Sequence, residues 1–64
     1  MSSEHDIRED IAAELMTVSE LLAAEGKDTD SRKAWTDAAR TVTGEVSIDR
    51  ATRLLCDYEN LIGA

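Results

Sequence analysis

Apolar residues recur along the chain at helical spacing, in three stretches set off by glycines. The first places Ile7, Ile11, Leu15, Val18 and Leu22 at steps of four, four, three and four, on one stripe of an α-helix. Ser3 can cap the amide of Asp6 while the Asp6 carboxylate reaches back, a short-armed capping box, and Gly26 supplies a left-handed residue to end the helix. The pattern predicts a helix over about 4–25, roughly 33 Å long.

A second helix, over about 30–43, is expected to start within Asp28-Thr29-Asp30-Ser31, all competent caps, and to stop at Gly44. It carries Trp35, Ala38, Ala39 and Val42 on one side, a thin face apart from the indole. The third, over about 48–62, has Ser47 as cap and Val46 as a staple against Ala51. Its apolar face is the broadest: Ile48, Ala51, Leu54, Leu55, Tyr58, Leu61 and Ile62. Proline is absent, and β-branched residues never alternate over a strand-length window. The expected fold is all-α, a small antiparallel three-helix bundle with a long acidic N-terminal helix, formed as one domain over residues 1–64. Trp35 and Tyr58 are expected as its large core pieces. Because the second and third helices are shorter than the first, part of the first should overhang.

Length sharpens this picture. A domain of 64 residues buries only about 60% of the surface its unfolded chain exposes, so association with a partner or with itself is a natural supplement to a small core. The single cysteine, Cys56, excludes an internal disulfide or a multi-cysteine zinc site and suits a reducing cytoplasm. No apolar run approaches the roughly 18 residues that cross a bilayer, and the N-terminus is acidic where a signal peptide is basic. A cytoplasmic protein with no membrane association is therefore expected.

Charge is distributed unevenly. The chain has 14 acidic and 7 basic residues, a net charge of -7. Glu4, Asp6, Glu9, Asp10, Glu14, Glu20 and Glu25 stand against Arg8 alone in the first helix and its end, a net of -6. On a helical wheel Asp6, Glu9, Asp10 and Glu20 fan across the side opposite the apolar stripe. Glu14 falls at the stripe's edge, and Met16 lies outward among Ala12, Ser19 and Ala23. An outer face of this kind is ordinary solubilisation in many helices. Its concentration here can also imitate the phosphates that a nucleic-acid-binding protein expects.

Catalytic and metal chemistry find little footing. The single histidine, His5, sits in the first turn without a partner, and no Glu-x-x-His pair faces a core. Asp28-Thr29-Asp30 opens like a calcium loop, but Lys33 and Ala39 stand where that loop needs glycine and glutamate. Cys56 falls on the polar side of the third helix, where Asp57 and Glu59 disfavour a thiolate. No enzyme, cofactor or metal is expected.

The leading expectation is a non-enzymatic interaction protein. Asp6, Glu9, Asp10, Glu14, Met16 and Glu20 would occupy the basic surface of a protein partner that handles nucleic acid, without direct contact to nucleic acid. By size and charge alone the chain is similar to phage and mobile-element inhibitors, including anti-CRISPR and DNA-mimic proteins, and to some antitoxins. Two other classes compete. Residues from Ala38 to Leu55 can be read as a helix-turn-helix with Arg50, Thr52 and Arg53 exposed, against which stand Asp49, Asp57 and Glu59 on the same helix. The overhanging first helix can also self-associate, making the protein a homodimeric assembly module.

Overall fold

Ser3 begins the first helix as the capping pattern predicts: its Oγ accepts from the Asp6 N–H at 3.2 Å and the Asp6 carboxylate accepts from the Ser3 N–H at 3.4 Å. The computed structural model describes residues 3–63. Met1, Ser2 and Ala64, assigned above to the same domain, lie outside the described residues. Helix α1 spans Glu4–Ala24, α2 Asp28–Thr43 and α3 Ile48–Leu61, packed as a small three-helix bundle with no strand among the described residues. Gly26 and Gly44 both take positive φ, 81° and 87°, where an L side chain would crowd its own backbone. Ser47 caps α3, its Oγ accepting from the Arg50 N–H at 3.2 Å.

Leu15 and Leu22 are fully buried, and Ala12, Val18, Ala34, Ala38, Leu55 and Tyr58 complete the core around them. Each buried leucine contributes about 2 kcal/mol through removal of apolar surface from water. Ile11, Leu54, Leu61 and Ile62 close the core at its edges. Ile7 leaves the expected stripe: it precedes the residues that α2 and α3 cover and is 38% exposed.

The most consequential difference from the sequence pattern concerns how α1 meets α2. Ala12 and Ser19, read as part of an outward small-residue surface, are buried, and the buried positions of α2 are Ala34, Ala38 and Thr41. Ser19 Oγ donates to the Ser31 carbonyl at 2.8 Å while Ser31 Oγ donates to the Ser19 carbonyl at 2.7 Å. This reciprocal pair satisfies two hydroxyls inside the interface and needs no bulky side chain between the helices. It also accounts for the start of α2: with its hydroxyl used by Ser19, Ser31 does not cap. The helix starts at Asp28, behind Lys27, which forms no side-chain cap hydrogen bond.

Polar clamps hold both ends of the bundle. Arg8, 14% exposed at its side chain, donates through Nη1 to the carbonyls of Thr41 at 3.2 Å and Val46 at 2.5 Å. A cation is thereby placed at the negative end of the α2 dipole, on a last-turn carbonyl of α2 and on one of the loop that follows. At the other end Lys27 donates to the Leu61 carbonyl, and Glu25 accepts from the Gly63 N–H at 3.0 Å. That backbone hydrogen bond, with Lys27 beside it, holds the Glu25 carboxyl below its ordinary value. Because Arg8 already grips the end of α2, the expected overhang of α1 shrinks to its first turn.

Arg8→Ala removes a charge-assisted donor from the Thr41 and Val46 carbonyls, so it is expected to cost about 2 kcal/mol. In a domain of this size that lowers the thermal midpoint by roughly 10 °C, measurable by circular dichroism.

Candidate functional site

α1 turns its carboxylates to solvent. Asp6, Glu9, Asp10, Glu14 and Glu20 are all exposed, and so is Met16. His5 Nε2 lies 2.7 Å from Glu9 Oε1, one turn back on the same helix, and Asp6 is engaged at the cap. Asp10, Glu14 and Glu20 have no side-chain partner among the described residues. The only cation of α1 is the inward-turned Arg8, with Glu4 at 3.5 Å. The ridge therefore carries its negative charge without a compensating surface cation on its own helix.

The six residues proposed from sequence do not form one site. Asp6, Glu9, Asp10 and Glu20 share the outer ridge. Glu14 lies in the crease between α1 and α3, near Leu21, Glu59 and Ile62. Met16 lines an apolar groove of about 340 Å³ between α1 and α2, opposite Trp35, Ala39 and Val42 and floored by Ala12 and Ala38. One helix thus presents three surfaces with different chemistry.

Trp35 is the residue that sequence reasoning misplaced. Expected in the core, it is 56% exposed. The apolar arc of α2 from Trp35 to Val42 is rotated by about 80° from the buried line of Ala34, Ala38 and Thr41. An indole does not fit where α1 and α2 approach through alanines and serines, so α2 turns its small positions inward and Trp35 lies over the seam. The available signal was the small-residue spacing Ser31, Ala34, Ala38, which matches Ala12 and Ser19 across the interface. Bulk hydrophobicity outweighed it.

On the outer side of α2 a depression of about 400 Å³ is lined by Thr29, Arg32, Lys33, Thr36 and Arg40, with Asp37 and Tyr58 at its inner wall. Tyr58, buried as expected, donates its hydroxyl to the Asp37 carboxylate at 2.6 Å and so ties α3 to α2. Burial first, and then this carboxylate, push the phenol well above its ordinary value of 10.0. Exposed acid thus runs along α1, whereas Arg32, Lys33 and Arg40 gather on one side of an α2 whose acids and bases balance. Cys56 is exposed, as its wheel position predicts. Among the described residues no three His, Cys, Asp or Glu side chains gather as a metal site, and no helix is long and apolar enough to cross a membrane.

Two outcomes follow from these placements. Trp35→Ala is expected to cost less than about 1 kcal/mol in denaturant unfolding, against about 3 kcal/mol for Leu15→Ala, because only the leucine leaves a cavity. Because the folded Tyr58 phenol is held above 10.0, its contribution is complete below pH 10 and is lost as pH rises further. Tyr58→Phe is therefore expected to flatten the decline of stability above pH 10, followed by circular dichroism during alkaline titration.

A family model described as Domain of unknown function (DUF7273) matches residues 1–64, and the chain belongs to that family. No curated protein and no solved structure matches it.

Proposed function

We propose that the protein is a non-enzymatic interaction module whose α1 ridge occupies a basic surface of a partner that handles nucleic acid, acting as a small acidic inhibitor or regulator. The observation that carries this reading is the inward turn of the half-buried Arg8. The one cation able to neutralise the ridge from within α1 is spent on the carbonyls of Thr41 and Val46, and Asp10 and Glu20 stand without partners.

Charge density supports the same reading. Asp6, Glu9 and Asp10 fall within about 6 Å of helix axis, about one carboxylate per 2 Å, close to the one charge per about 1.7 Å of duplex DNA. A surface evolved to meet phosphates would be drawn to such a ridge over distances of about a Debye length. Steering of this kind governs the encounter, and the apolar positions beside the ridge supply desolvated contact. The inhibitors that the chain resembles in size and charge work by occupying such a surface, and that role is part of the proposal.

The test is affinity capture from the native host with the wild-type protein and with Glu9→Lys, Asp10→Lys and Glu20→Lys combined. These three side chains are exposed, so the reversed protein should keep its helical spectrum. Wild-type protein is expected to retain nucleic-acid-binding proteins that are released at about 0.5 M salt, where the Debye length is only a few Å, and the reversed protein to retain none. Retention that survives both salt and reversal would refute the reading. Retardation of duplex DNA by the protein alone, weakened by Arg50→Ala or Arg53→Ala, would favour a helix-turn-helix regulator instead.

A further inference from the structure

The groove between Met16 and Trp35 lies across the α1–α2 seam from α3. Helix α3 meets α1 along Val18, Leu21 and Ile62 and meets α2 through Tyr58 and Asp37, whereas Met16, Trp35 and Val42 project on the other side. Those three are 43%, 56% and 41% exposed, and together they bridge two helices instead of standing singly. We propose that this groove is closed by a second copy of the chain, in a weak dimer joined face to face through α1 and α2.

Side chains of opposite charge lie beyond the apolar lining of the groove, one on each helix. Glu20 lies one turn beyond Met16 on α1, and Arg32 one turn before Trp35 on α2; both are exposed. The internal hydrogen bonds set the heights. Ser19 is level with Ser31 and Arg8 with Thr41, so Met16 is level with Trp35 and Glu20 within a turn of Arg32. A two-fold axis running along the helices places α1 of one copy over α2 of the other without changing these heights. Met16 then meets Trp35 of the second copy, twice, and Glu20 comes beside Arg32 of the second copy. A two-fold axis across the helices would instead stack α1 on α1 and set carboxylates against carboxylates. Charge selects the first arrangement.

Area sets the strength. The whole outline of the bundle, 37 by 16 Å, caps a flat contact at about 600 Å² per copy, so the total cannot exceed roughly 1,200 Å², the lower end of a specific interface, and the dimer is weak. Asp6 and Asp10, on the far side of α1, stay outside this contact. Glu20 belongs to both surfaces, so the dimer and the partner proposed above compete for it; the dimer is tested on the purified chain alone, where no partner is present.

Sedimentation equilibrium from about 1 µM to about 1 mM should show a monomer–dimer equilibrium, with Trp35 emission shifting to shorter wavelength as dimer forms. Met16→Glu and Trp35→Ala should each weaken it at least about tenfold with helix content unchanged, while Leu21→Glu, in the α1–α3 crease, should leave it intact. Glu20→Arg and Arg32→Glu should each weaken the dimer alone and restore it together. A protein that stays monomeric throughout would overturn the proposal and leave the groove to a different protein. So would a dimer indifferent to Trp35→Ala, one broken by Leu21→Glu, or a double charge exchange that restores nothing.

Discussion

Close contact between α1 and α2 depends on side chains too small to hold the helices apart, and the rest of the molecule adjusts to it. Ala12 and Ser19 on one side meet Ala34, Ala38 and Ser31 on the other, and the two serines satisfy one another across the seam. Alanine-rich interfaces bury little apolar area for each residue. The bundle offsets this with directional bonds at its ends and along its third helix: Arg8 onto the Thr41 and Val46 carbonyls, Lys27 onto Leu61, and Tyr58 onto Asp37.

The same seam decides what remains outside. With no space for an indole between the helices, Trp35 lies over the groove with Met16 and Val42, and an apolar surface appears where the composition alone suggested core. With Arg8 drawn inward, Asp10 and Glu20 of the α1 ridge keep no side-chain partner among the described residues. Packing and electrostatics are thus linked through two residues. The clamp that stabilises the bundle exposes its acidity, and the tight seam exposes its largest side chain.

Much of the fold was legible in the residue pattern because helices announce themselves locally. The Ser3–Asp6 capping box, the glycines at 26 and 44, the Ser47 cap and the broad face of α3 are short-range features, and each appears where periodicity places it. The start of α2 was less legible, since several competent caps stand in a row and the deciding contact, Ser31 with Ser19, is twelve residues away. The candidate site was legible only as a set of exposed acids. Nothing local separates Met16 from Glu9, which sits near it on the wheel but lines no part of its groove.

By itself the sequence determined three helices, their approximate limits, and the concentration of acid on the first, because these follow from spacing, caps and composition within a few turns of chain. Only the tertiary structure decided which face of α2 points inward, where Trp35 lies, and that Arg8 is withdrawn from the acidic ridge. The reason is physical. A hydrophobic wheel ranks residues by their preference to leave water, but two helices that meet through alanine and serine are arranged by how closely their backbones can approach, a property of the pair that neither helix carries alone.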